Sequence, residues 1–124
     1  MSEAVSAREI LEKTLEIGQK GGWAPKGEYG DRFNPDTKHC LVGAIHCAHG
    51  MLHNWERHSP ASGSQLLAAN HRIWHFITAV QRELFPGRSY GGSPFYDHPD
   101  TTTEDVELVL KHAIQHAREA DAAC

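Results

Sequence analysis

The chain has no run of about eighteen apolar residues, so no membrane span is expected, and Met1 to Glu9 lacks the basic-then-apolar pattern of a signal peptide. Cysteine is scarce. Three thiols, an odd number, cannot close into a disulfide framework, and a reducing cytoplasm is the expected setting. Basic clusters are missing as well: 12 Lys and Arg stand against 16 Asp and Glu, a formal charge of −4, so nucleic acid is not an expected partner. Catalytic signatures are equally thin. There is no phosphate-cradling glycine loop, metalloprotease helix or nucleophile motif, and no Glu-x-x-His pair of the kind a carboxylate-bridged metal centre in a bundle uses.

What remains is an ordinary globular composition, 40% hydrophobic and 23% charged over 124 residues. A chain of this size buries roughly two-thirds of its extended surface, so residues 1–124 are expected to form a single helical domain. Ser6 to Glu9 is a capping box opening a first helix through Ile10, Leu11 and Leu15 to about Lys20. Gly21 and Gly22 end it, and Trp23 follows as an anchor packed back onto the core. A loop rich in Gly, Pro and Asp reaches Thr37, with Asn34-Pro35-Asp36 read as the cap of a second helix whose apolar face is Leu41, Ile45, Ala48 and Leu52. After a connector from Asn54 to Ser64, a third helix spans Gln65 to Phe85 on the seam Leu66, Ile73, Ile77, Val80 and Leu84, with Asn70 as its polar member. Gly87 to Asp100 is a second long loop. A capping box at Thr101 to Glu104 starts the last helix, with Val106, Val109, Leu110, Ala113 and Ala117 as its buried stripe, ending near Ala120. The expected fold is all-α: a small four-helix domain with two long ordered loops.

Ten histidines are the most distinctive feature, and protonating them all would carry the formal charge from −4 to +6. His39, His46 and His53 repeat every seven residues along the second helical segment, with His49 between that stripe and the apolar face. His46 with His49, and His49 with His53, stand at the i,i+3 and i,i+4 spacings that let two imidazoles share one ion, so this trio is the candidate site for a divalent transition metal such as zinc. His71 with His75, and His112 with His116, repeat the spacing. No cofactor is expected otherwise. Cys40 and Cys47 lie on another face of the wheel and read as buried free thiols, although Cys40 beside a histidine from another helix would be the nucleophile of a small Cys/His enzyme. Tyr90, Phe95 and Tyr96 in the second loop, with Trp55 or Trp74, form the candidate interaction surface, while Asp97 and Asp100 around Pro99 read as turn-forming carboxylates. The histidine stripe beside an apolar seam would suit the flank of a homodimer contact as well as a solvated face.

Gly22-Trp23 after the first helix, Cys40-Leu41-Val42-Gly43-Ala44 opening the second, and the aromatic-Asp loop ahead of Val106 resemble an uncharacterised family of small actinobacterial and actinobacteriophage proteins, a domain of unknown function. The resemblance spans most of the chain and singles out Trp23, Cys40, Gly43, Ala44, Asp97 and Val106. Members often carry Trp-Asn-Asp where this chain has Phe95-Tyr96-Asp97, which leaves Asp97 as the comparable residue. It assigns no catalytic residues, and the histidine stripe is not part of its pattern. What it implies is a phage-type or mobile-element accessory protein, in the host cytoplasm if phage-encoded, that acts by binding a host protein. The alternatives are a histidine-rich metal-binding or pH-responsive domain and a small Cys/His enzyme.

Overall fold

A computed structural model describes residues 6–31, 33–53 and 63–122; of residues 53 and 63–69 it describes the backbone alone. Five helices follow in order among them: α1 Ala7–Gly21, α2 Leu41–His53, α3 Gly63–Leu84, the single turn α4 Ser93–Tyr96, and α5 Thr103–Ala122. No strand is present among the described residues, and the fold is the expected all-α domain. α1 packs on α2, α3 and α5, and α3 packs on α5. The core is one cluster drawn from every helix, with Ile10, Leu11, Leu41, Ile45, Ile73, Ile77, Phe95 and Leu110 wholly inaccessible.

Most of the helical stripes read from periodicity are buried; Leu15, Leu52 and Leu84 are half-buried against the core, and the Leu66 side chain lies outside the described ones. On α5 all five anticipated residues lie inside, and on α2 Leu41, Ile45 and Ala48 are fully covered. The caps differ from expectation in two places. At the start of α5 the reciprocal box is Thr102 with Asp105: the Asp105 amide donates to Thr102 Oγ1 at 3.1 Å and the Thr102 amide donates to Asp105 Oδ2 at 3.1 Å. It sits one residue beyond Thr101 and Glu104 because Thr101 is turned inward, where its carbonyl accepts from Lys26. The second difference is larger.

Asn34-Pro35-Asp36 does not open α2. The Asn34 side chain instead closes a local turn by accepting the Asp36 amide, and the chain continues to Cys40 in irregular conformation. His39 is held there by backbone pairing with the far side of the loop: its amide donates to Gly22 O at 3.3 Å and its carbonyl accepts the Ala24 amide at 2.8 Å. His39 therefore lies outside the helix and off the proposed seven-residue stripe. α3 also begins earlier than Gln65, at Gly63, and its buried polar residue is Gln81 rather than the half-exposed Asn70. Gln81 Nε2 donates to Gly91 O at 2.8 Å and its Oε1 accepts the Gly91 amide at 2.7 Å, so one side-chain amide satisfies both backbone groups of a residue in the second loop.

Candidate functional site

Cys40 takes the capping role at the head of α2. Its carbonyl accepts the Ala44 amide at 2.9 Å and its sulfur accepts the Gly43 amide at 3.3 Å, which does for this helix what a serine or aspartate oxygen does elsewhere. Gly43 is required one turn later because the loop crosses directly above it. A Cβ built at Gly43 would overlap the Tyr29 carbonyl oxygen, and that same oxygen accepts the Cys40 amide at 3.2 Å. Ala44, beside them, is wholly buried.

The other end of the loop is pinned by Trp23. Gly22 leaves α1 at φ 92, a conformation that side chains disfavour, and turns the Trp23 ring back over Gly18, where a Cβ would collide with it. The indole Nε1 donates to Glu107 Oε2 on α5 at 2.8 Å, and the ring lies 6.5 Å from that of Tyr96, tilted by 49°. The Tyr96 hydroxyl donates to the Ala24 carbonyl, and Asp97 Oδ1 accepts the Gly27 amide at 2.9 Å. Lys26 closes the junction, its ammonium donating to the carbonyls of Tyr96, His98 and Thr101 at 3.2, 2.6 and 2.7 Å. Asp97 thus ties two loops together instead of stabilising its own turn.

Between these parts lies a pocket of about 360 Å³. It is lined by the buried Ala24, Tyr96, Thr101 and Val106 and the half-buried Trp23, and by the exposed Lys38, Thr102 and Thr103. Five of the six residues that the resemblance singled out therefore act at one junction, where the α1–α2 loop meets α2, α4 and α5; the sixth, Ala44, packs beneath it. The family of unknown function DUF6197 matches residues 2–116. The chain belongs to that family. Among curated proteins and among solved structures none matches it. For this DUF6197 member the short motifs have a structural account: Cys40 caps, Gly43 admits a crossing carbonyl, Asp97 clasps and Val106 walls a pocket.

Burial sets the electrostatics of the Cys40 and Tyr96 side chains at the junction. Burial, with a smaller contribution from Asp97, pushes the Cys40 thiol above its ordinary range against the hydrogen bonds from Gly43 and Val42, and burial does the same to Cys47. A nucleophilic cysteine needs the opposite shift, and Cys40 is 3% exposed. Burial, then the neighbouring Cys40 and Asp97, push the Tyr96 phenol up to about 12. Burial alone would raise Asp105, but the Arg88 guanidinium at 2.9 Å and the Thr102 amide and hydroxyl outweigh it and hold that carboxyl low.

The histidines are dispersed. His46 is exposed and His49 buried at 4%, so the two do not present one face to solvent, and the His53 side chain lies outside the described ones. Among the described residues no three His, Cys, Asp or Glu side chains are placed to hold a metal ion. His71, His75, His112 and His116 are all exposed.

The aromatic residues of the second loop are not where an exposed surface needs them. Phe95 is 0% and Tyr96 4% accessible, because α4 turns both rings into the core, where Phe95 packs 5.7 Å from Phe85. Tyr90 is half-buried, its hydroxyl accepting the Gly87 amide and its ring lying under Arg82. Trp55 falls outside the described residues. Among the described residues the exposed aromatics are in the first loop, Tyr29 at 57% and Phe33 at 66%. The sequence held a signal for them: an aromatic pair in a stretch rich in Gly, Asp and Pro, with no helical period to bury it.

Proposed function

We propose that this DUF6197 protein is a binding module whose docking surface is the α1–α2 loop, with Tyr29 and Phe33 as its anchors. One observation carries the reading: two large aromatic side chains stand in solvent on a loop whose backbone is hydrogen-bonded in place. Asp31 contributes at both levels, its Oδ1 accepting the Phe33 amide at 2.9 Å and its carbonyl meeting His39 Nε2 at 2.8 Å. Exposed aromatics on a preordered backbone cost little entropy on association, and aromatic residues of this kind dominate the energetics of protein interfaces. The raised thiol of Cys40 favours binding over cysteine chemistry. The resemblance to actinobacteriophage proteins supports a host protein as the partner, with this chain as an accessory factor of a phage or mobile element.

The test is affinity capture from a host lysate with the wild type, with Tyr29→Ser/Phe33→Ser, and with Tyr90→Ser as a control on the other loop. Loss of a stoichiometric partner in the double variant alone is the expected result. Equal recovery by the double variant, with an unchanged melting temperature, would overturn the loop as the interface.

A further inference from the structure

We infer that the pocket between Trp23 and the first turn of α5 binds a small carboxylic acid with a flat apolar body. The inference stands apart from the docking loop, since neither Tyr29 nor Phe33 lines this pocket.

The walls supply the apolar half. Both aromatic residues spend their polar atoms elsewhere, Trp23 Nε1 on Glu107 and the Tyr96 hydroxyl on the Ala24 carbonyl, so what lines the space is ring carbon together with the buried Val106. A volume of about 360 Å³ is near the lower end of the range for ligand pockets, which suits one ring or two fused rings better than a nucleotide.

The charge supplies the other half. The protein as a whole is acidic at −4, yet two lysines and no carboxylate line this pocket. Among the described residues no acid pairs with Lys26: its ammonium is ringed by three backbone carbonyls, which satisfy its donors and leave its positive charge in place. Lys38 lays its stem across Gly22 and makes no ion pair among the described residues, so its exposed ammonium remains available as a donor at the rim. Thr103, an exposed residue of the first turn of α5, lines the same pocket. Glu107, which accepts from Trp23 and from Gln19 at 3.4 Å, does not line the pocket. An apolar slot lined by two lysines and by no carboxylate discriminates for an anion on a flat hydrocarbon body. Lys38 and Thr103 would bind its carboxylate, and Lys26 would contribute only its field.

The experiment is an NMR titration of ¹⁵N-labelled protein with phenylacetate and indole-3-acetate, each against its neutral amide, phenylacetamide and indole-3-acetamide. The expected result is a saturable shift of the Trp23 indole N–H and the Thr103 amide, with an acid bound about tenfold more tightly than its amide, the worth of one charge-assisted hydrogen bond. Lys38→Gln, at an exposed position, should erase that preference without disturbing the rest of the spectrum. Tyr29→Ser/Phe33→Ser should leave the titration unchanged, which separates this site from the docking loop. Acids that shift these resonances no more than their amides, no saturable shift from either series, or a preference that survives Lys38→Gln would each overturn the assignment.

Discussion

The α1–α2 connection and the stretch from the end of α3 to the start of α5 are of similar length, and each carries aromatic residues, but they are held in opposite ways. The later stretch is held by its side chains: Phe95 and Tyr96 fill the core through α4, and the Gln81 amide takes both backbone groups of Gly91. The earlier loop is pinned at its start by the Trp23 side chain, and beyond that it is held through its main chain, by the pairing of Gly22 and Ala24 with His39, the Tyr29 carbonyl on the Cys40 amide, and the Asp31 carbonyl on the His39 imidazole. A loop anchored by its aromatics has none left to display. One anchored through its main chain can leave Tyr29 and Phe33 in solvent.

The sharpest way to break that contrast is to truncate one aromatic from each loop. Phe95→Ala should cost about 3–5 kcal/mol, enough to bring a domain of this size close to unfolding, and urea denaturation would read it. A loss below about 1 kcal/mol would mean that Phe95 is not a core residue. Gly43→Ala tests the backbone anchor. In most helix interiors this change stabilises by up to about 1 kcal/mol. Here the added methyl meets the Tyr29 carbonyl, so a destabilisation of about 2–3 kcal/mol is expected from the shift in denaturation midpoint.

Tyr96→Phe tests the clasp between the loops. Removing the hydroxyl leaves the Ala24 carbonyl short of a donor, about 1–2 kcal/mol at neutral pH. The pH profile adds a signature. The phenol has an ordinary value of 10.0 when unfolded and is pushed up to about 12 when folded, so its stabilisation is whole below pH 10 and is lost as pH climbs from there toward 12. The variant should lack that share of the alkaline decline in melting temperature. Asp105→Asn acts at the other extreme. Its carboxyl is held below the ordinary 3.8, so its stabilisation is present above that value and is lost as pH falls through the folded one. The variant should lose about 0.5–1 kcal/mol at pH 7 and show a shallower acid limb in calorimetry. The smallest effect belongs to the exposed pair: Tyr29→Ser/Phe33→Ser should change stability by no more than about 0.5 kcal/mol, and a larger loss in thermal unfolding would place these rings in the fold rather than on a docking surface.

Much of this was legible in the residues. The apolar periods on all four long helices named the buried faces, Ser6 accepts the Glu9 amide at 3.2 Å as its box implied, and Trp23 packs back on α1 as the double glycine suggested. The pattern Cys-Leu-x-Gly-Ala was visible as a motif, but its meaning was not, since a sulfur cap and a crossing carbonyl are facts about partners distant in the chain. His39 and Cys40 were drawn into the second helix because Asn34-Pro35-Asp36 is a good local start signal, and local signals yield when main-chain pairing across a loop offers more.

The sequence by itself determined the all-α class, most of the faces that enter the core and the acidic balance of the whole, because each depends on composition or on the near-neighbour geometry of a helix. Only the tertiary structure decided which loop shows its aromatics, which histidines are covered, and that two lysines line the pocket beside Trp23. Those outcomes turn on burial and on contacts between residues many tens of positions apart, as when the Gly27 amide reaches Asp97 or the Tyr96 hydroxyl reaches the Ala24 carbonyl. No local pattern encodes which of two aromatic loops will find the core.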